Sequence, residues 1–443
     1  MAPRVDGFEG DAALPARVDV CVVGGGVIGV MAALTLAERG VSVALVEKGR
    51  IAGEQSSRNW GWCRRMGRDA AEIPLSVEAL RQWEGMDARL GEATGFRRAG
   101  VVYLHETPRH AAAHEAWLEH ARPFQIESKL LTPDEVQALL PGAARRWHGG
   151  MHTPGDGRAE PSMAVPAMAR AARRADAAVL TGCAVRGLDL VAGRVAGVVT
   201  ERGRIGCGAV VLAAGAWSRL FLGNHGVDFP QLKVRGSVLR TEPLEGLPEQ
   251  AVGGNGFAFR KRQDGGYTVA HRGGSVAEIV PDSFRLMFDF LPALRKQRDE
   301  IRLRVGRRFL EEARLPRRWP LDARTPFEAV RVLDPEPMGG ILDEARANLA
   351  RAFPGFAGMR VAESWAGLID VTPDAVPVIS PVAALPGLVL ASGFSGHGFG
   401  LGPGAGRLAA ELATGAPPVV DPSPFRLSRF ARAEAPDAAA LAA

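Results

Sequence analysis

Residues 18–47 read VDVCVVGGGVIGVMAALTLAERGVSVALVE. An apolar run ends in Gly24-Gly25-Gly26-Val27-Ile28-Gly29, a helical pattern follows, and after Gly40 a second apolar run ends at Glu47. Each feature meets a need of a bound dinucleotide. A tight turn at Gly24 takes the chain from strand to helix. Gly26 has no Cβ, so the backbone can approach a pyrophosphate, and Gly29 lets the helix lie close against the strand. The first-turn N–H groups, at Val27 and Ile28, face the phosphates, where the helix dipole favours negative charge. Glu47 stands where a carboxylate accepts hydrogen bonds from ribose hydroxyls and repels a 2′-phosphate. FAD or NAD fit this unit, and NADP does not.

The length, 443 residues, suggests two or three domains. Hydrophobic content of 47% and charged content of 23% allow a large globular core. The net charge of +5 comes mostly from Arg, spread without a dense basic tract, so nucleic acid is not an expected partner. Cys21, Cys63, Cys183 and Cys207 form no CxxC pair. Structural zinc, other metal sites and a disulfide framework are therefore not expected, and a reduced, cytoplasmic location is. Residues 1–16 lack the basic start and apolar middle of a signal peptide. Asp19 and the glycines argue against a membrane span at 18–36.

Outward from the βαβ unit, residues 1–16 read as a loose arm. Residues 48–70, rich in Gly, Ser, Arg and Trp, read as a loop facing something polar and aromatic. Helices are expected at 76–91, 109–122, 162–175 and 339–352, and a strand at 99–105. Thr132-Pro133-Asp134-Glu135 is a capping box opening another helix. Residues 178–212 suggest a small meander and 233–271 further strands. Residues 284–313 read as an arginine-rich helical stretch. A last strand at 387–391 leads to a glycine-rich loop and a helix near 403–414, and 421–443 reads as a frayed tail.

Four segments together resemble the D-amino-acid oxidase/glycine oxidase superfamily of FAD-dependent amine oxidoreductases. They are GGGVIG with its terminal Glu47-Lys48, the stretch Thr153–Pro161, the strand ending Ala213-Ala214-Gly215-Ala216-Trp217, and Trp365–Asp374 followed by Gly393-Phe-Ser-Gly-His-Gly-Phe399. The resemblance implies an α/β fold: a Rossmann-like FAD-binding domain of the glutathione-reductase class with an inserted mixed-sheet substrate domain. The FAD-binding domain would comprise 17–75, 159–232 and 360–420, the substrate domain 76–158 and 233–359, and the tail 421–443. The resemblance also implies oxidation of an amine or amino-acid C–N bond to an imine by hydride transfer to flavin N5, with O2 or another electron acceptor; an oligomer is possible. FAD contacts would come from Gly24, Gly26, Val27, Ile28, Gly29, Glu47, Lys48, Ser56, Ser57, Arg58, Val185, Ala214, Gly215, Trp217, Gly393, Ser395, Gly396, His397, Gly398 and Phe399.

The chain departs from the family pattern in ways that bear on substrate. Where amino-acid oxidases place a carboxylate-gripping Arg, this chain has Ile369-Asp370, and Asp370 can attract a substrate ammonium. No Cys follows Cys207, so the covalent flavin link of sarcosine-type oxidases is excluded and FAD is held non-covalently. A carboxylate grip must come from elsewhere: Arg64, Arg65, Arg260, Lys261 or Arg272. Trp60, Trp62 and Trp365 can form an apolar box beside the flavin. Tyr267 and His271 share a strand face, and are candidates for substrate binding or proton uptake if that face looks into the cavity. Thr268 stands near the place where some oxidases carry a Lys that assists oxygen. The alternative reading is a flavin monooxygenase, or another FAD enzyme acting on a non-amine substrate.

Overall fold

The computed structural model describes residues 2–296 and 301–430. The βαβ unit forms as its pattern requires. Strands Val20–Val23 and Val43–Val46 pair in parallel and are buried on both faces, which is why they carry continuous apolar runs. The sheet they start has the order Val378–Pro381, Leu388–Ser392, Ala209–Leu212, Val20–Val23, Val43–Val46, Ala178–Leu180. All its pairings are parallel except that of Val378–Pro381. The crossover helix Val27–Glu38 is buried along almost its whole length, so it is apolar all round. The long helix Gly398–Thr414 packs against it at Gly406, where a Cβ would come within 2.5 Å of the Met31 Cβ.

Among the described residues a second sheet has ten strands. Its central strand, Leu232–Thr241, pairs with Val361–Val371 along nearly its full length. The two faces of this sheet differ. One carries Phe257, Phe259 and Tyr267 into a core closed by Phe353, Phe356 and the helix Gly339–Ala352. The other carries Val238, Ala270 and Trp365 toward Trp60 and the parallel sheet.

Four sequence expectations are corrected. Residues 284–313 are not one helical stretch: helices Pro281–Arg285 and Met287–Lys296 precede a strand, Ile301–Val305, and a helix, Arg308–Ala313. Ile-Arg-Leu-Arg-Val alternates with period two, and that pattern extends the sheet beside Ser275–Ile279. Residues 297–300 lie outside the described residues. The arm 1–16 is pinned, with the Asp6 N–H donating to Ser162 O and the Asp11 N–H to Val179 O. The tail is not frayed at 421–430, because Phe425 is buried in the core of the parallel sheet; residues 431–443 lie outside the described residues. Finally, Ala178–Leu180 joins the parallel sheet, leaving Val185–Val191, Arg194–Thr200 and Gly203–Gly206 as the meander. The capping box at Thr132 and the helix Gly339–Ala352 form as expected.

Candidate active site

A cleft opens at the carboxyl ends of the parallel strands, where open α/β sheets place their ligands. Gly24, Gly26, Val27, Ile28, Glu47, Lys48, Ser56, Val185, Ala214, Gly215, Trp217, Asp370, Gly396, Gly398 and Phe399 all border it. Residues from both ends of the chain thus meet in one cavity. Gly24 turns at φ +114°, and a Cβ there would meet Ala213 O at 2.4 Å. Gly29 lies under the turn, where a Cβ would sit 2.0 Å from Gly24 O. Ser56 Oγ accepts the Val27 N–H at 2.9 Å and so steadies the helix entry. Glu47 accepts the N–H groups of Gly25 and Gly49, each at 2.7 Å. Burial pushes its carboxyl up, against the opposing pull of Lys48 and these two N–H groups.

Several expected cofactor contacts turn out to be ties within the protein. The Lys48 ammonium spends its donors on Glu54 (2.6 Å) and on the carbonyls of Val330 and Arg331. Arg58 is buried, and its guanidinium binds Asp334 (2.7 Å), Ala366 O (2.7 Å) and Gly53 O (3.1 Å). A cation removed from water must be paired, and Arg58 finds its partners inside the protein. Ser57 Oγ donates to Glu54 O. The glycine-rich segment is also more regular than its composition suggests, because helix Gly398–Thr414 begins five residues before the expected start. Glu54, which sequence reasoning passed over, collects Lys48, the Trp217 indole and the Leu333 N–H.

Asp370 is buried at the wall of the cleft. Its Oδ2 accepts the Gly393 N–H at 2.7 Å and the Gln231 side-chain amide at 3.4 Å, while its backbone oxygen accepts the Ser395 N–H. Burial pushes the carboxyl up to about 6. The side chain is spent on shaping the Gly393–Ser395 turn at the cleft wall. His397 follows that turn, and its Nδ1 lies 3.1 Å from the buried Glu72.

Tyr267 and His271 require correction. Tyr267 lies in the core on the outward sheet face, its hydroxyl donating to Pro248 O at 3.2 Å. His271 Nε2 sits 3.2 Å from the Glu344 carboxylate. Period two put both on one face but did not say which, and the face they share is the one covered by the helix Gly339–Ala352. Neither borders the cleft. Thr268 faces a second cleft with Arg240, Arg260 and Arg262.

The three Trp residues pack together, though none of them borders the cofactor cleft. Trp60 and Trp62 meet edge to face at 5.4 Å, Trp60 also packs on Trp365, and the Trp365 indole donates to Arg58 O. Of the five cations offered for a carboxylate, three are internally paired: Arg65 with Asp156, Arg260 with Glu160, and Lys261 with Glu249. Arg64 and Arg272 both lie over the Tyr103 ring, at 5.5 and 4.3 Å. Neither has a carboxylate partner among the described residues. Beside them His105 Nε2 and His114 Nδ1 approach to 2.6 Å, and burial pushes these imidazoles down to about 4 and about 3. The sequence showed no sign of this pair.

A glycine-turn crossover unit whose cleft is closed by residues of a second sheet defines a dinucleotide-binding protein. The chain belongs to the DAO family, FAD dependent oxidoreductase, whose model matches residues 19–412. It is similar in structure to an L-amino acid deaminase from Proteus myxofaciens in complex with anthranilate, with a TM-score of 0.94 and 34% identity over 98% of each chain. It is 27% identical to the glycine oxidase of Pseudomonas aeruginosa, covering 92% of this chain and 97% of that protein. It is 26% identical to the sarcosine oxidase subunit beta of an Arthrobacter species, over 93% and 91%. The protein is accordingly an FAD-dependent oxidoreductase acting on amine or amino-acid C–N bonds. The cleft fits FAD: its glycine cradle leaves room for a pyrophosphate, and the buried Gln55 Oε1 on its wall has no hydrogen-bond partner. None of the four cysteines borders it. Among the described residues no helix is long and apolar enough to cross a membrane.

Proposed function

We propose that the substrate is an α-amino acid whose carboxylate is held by Arg272 and Arg64 above the Tyr103 ring. The observation that carries this reading is the pair of guanidinium groups over one ring, left without carboxylates when every other candidate cation is paired. A guanidinium in such a place is a ready bidentate partner for a carboxylate. Relatives named for L-amino acids, glycine and sarcosine support the same class.

In this reading Glu47 and Val185 receive the adenosine end of FAD, and the N–H groups of Gly26, Val27 and Ile28 receive the pyrophosphate. Gly215, Trp217, Gly396, Gly398 and Phe399 border the flavin. Residues 17–75, 159–232 and 360–420 form the FAD-binding domain, and 76–158 and 233–359 the domain that covers it. The strand Val361–Val371 carries Asp370 to the cofactor cleft and Trp365 to the face of the second sheet. When bound, FAD supplies flavin N5 as the hydride acceptor for the substrate Cα–H.

The protein's own residues position the substrate and exclude water. Arg64 and Arg272 fix the carboxylate, which leaves one rotation to bring Cα into line. Trp60, Trp62 and Trp365 keep water out, so a substrate amine loses solvation and sheds its proton more readily. The N-terminus of helix Gly398–Thr414 points positive partial charge at the cleft, favouring negative charge there. The oxidised product leaves as an imine and hydrolyses in water.

Anaerobic mixing with L-phenylalanine, D-phenylalanine, glycine, sarcosine and phenethylamine tests the proposal. Bleaching of the flavin band by at least one carboxylate-bearing amine, and not by phenethylamine, is expected. Equal bleaching by phenethylamine would overturn the carboxylate grip. Re-aeration of the bleached sample reports whether O2 is the electron acceptor.

A further inference from the structure

Glu72 is fully buried, although no sequence pattern marks it. Both of its carboxylate oxygens lie 3.1 Å from His397 Nδ1, across 325 residues of chain. Two cations flank the pair. Arg68 is buried, its Nε donates to Arg64 O, and its Nη1 has no partner among the described residues. Arg64 lies beyond it, bonded to Met66 O. Burial alone would raise the Glu72 carboxyl, but His397, Arg68 and Arg64 together hold it below its ordinary value. It is therefore ionised and can only accept a hydrogen bond. His397 Nδ1 must then carry the proton, which leaves the lone pair of neutral imidazole on Nε2.

His397 lies in the chain between Gly396 and Gly398, both on the wall of the cofactor cleft. Its side chain keeps 23% exposure while Glu72 keeps none. With the Nδ1 edge committed to the interior, the open edge is the Nε2 edge. Burying an ionised carboxylate is costly, and orienting a histidine that receives a proton is a use that justifies the cost.

We propose that Glu72 is a positioning residue that holds His397 in the Nδ1–H form, so that Nε2 accepts the proton the substrate ammonium must lose before its C–N bond is oxidised. The inference rests on the amino-acid reading above. The step balances: the ammonium N–H bond breaks, its electron pair stays on the amine nitrogen, and the proton forms an Nε2–H bond. The imidazolium that results is compensated by Glu72. Burial, Arg68 and Arg64 depress the basicity of His397, and only Glu72 opposes them. A substrate carboxylate neutralising Arg64 removes part of that depression, so the base strengthens when substrate is in place.

The test uses FAD-loaded wild type, Glu72→Gln, Glu72→Asp and His397→Asn, with L-phenylalanine, glycine and sarcosine as probes in anaerobic stopped flow. Wild-type bleaching tests the amino-acid reading itself; the pH profile of the variants tests the role of Glu72. Near pH 7, Glu72→Gln and His397→Asn should each bleach about 10²-fold more slowly. Both should recover toward wild type near pH 10, where the substrate arrives as free amine, and Glu72→Asp should fall between. Nitrogen-15 NMR should find His397 as the Nδ1–H form in wild type and a tautomer mixture in Glu72→Gln. An equal deficit at both pH values, an unchanged profile, or loss of FAD from both Glu72→Gln and His397→Asn would overturn the proposal.

Discussion

The cofactor cleft and the sheet face above it are built from different materials. The cleft is largely backbone: the Gly24 turn, the N–H groups at the helix entry and the Gly393–Gly398 segment, with Glu47 and Ser56 as the few active side chains. The substrate site proposed above is instead side chains delivered by separate segments: Trp60 and Arg64 from one loop, Tyr103, Arg272 and Trp365 from elsewhere. A site made of backbone is damaged by added atoms, and a site made of side chains is damaged by removed ones. FAD is common to the family while its substrates differ, and the second kind of site is the kind that can be changed residue by residue.

Gly29→Val should be the most damaging change on the backbone side. Its Cβ would lie 2.0 Å from Gly24 O, so the turn must open. The purified variant should be colourless, and a yellow protein with wild-type FAD content would contradict the cradle as described. On the side-chain side, Glu160→Gln strips the buried Arg260 guanidinium of a partner that meets it at 2.6 and 2.9 Å. Breaking one half of such a pair costs about 3–5 kcal/mol, readable in urea denaturation. A loss below about 1 kcal/mol would mean that Arg260 is free to bind a ligand after all.

Between the two regions stands Asp370, whose carboxyl is raised to about 6 by burial. The folded protein therefore binds this proton more tightly than the unfolded chain does. The stabilisation is complete below the unfolded value near 4 and is lost as pH climbs through about 6. Asp370→Asn should flatten that part of the stability–pH curve by an amount on the order of 3 kcal/mol. An unchanged slope would assign it to another group. Arg272→Ala should then raise the apparent Kd for an amino-acid substrate by roughly 2–3 kcal/mol, leaving the flavin spectrum intact; a spectrum that shifts instead would move Arg272 to the cofactor side. The smallest effect is expected at Ser56→Ala, which removes a side-chain acceptor for one helix N–H and should cost about 1 kcal/mol. FAD titration by fluorescence quenching would read it as a several-fold weaker affinity.

Much of the cleft was legible in the chain because its requirements are local. Strand, glycine turn, helix, strand and acid follow each other within thirty residues, and Ala213–Trp217 and Gly393–Phe399 announce themselves by composition. The errors came where partners are distant. Arg58 looked like a phosphate ligand until Asp334 and Ala366 came to meet it. Tyr267 lay on a face whose direction the period could not give. The alternation at Ile301–Val305 was masked by the helical stretches around it, since a five-residue strand shows itself by its neighbour Ser275–Ile279.

Order along the chain was enough for the dinucleotide turn, because glycine freedom, strand alternation and helix-entry N–H groups act over a few residues; FAD and the class of bond oxidised came from the resemblance of four segments to a known family. Tertiary structure alone decided which cations stay unpaired, which sheet face looks inward, and that Glu72 meets His397. Those depend on which side chains reach each other across hundreds of residues, and charge compensation in a low-dielectric interior is settled only once those distances exist.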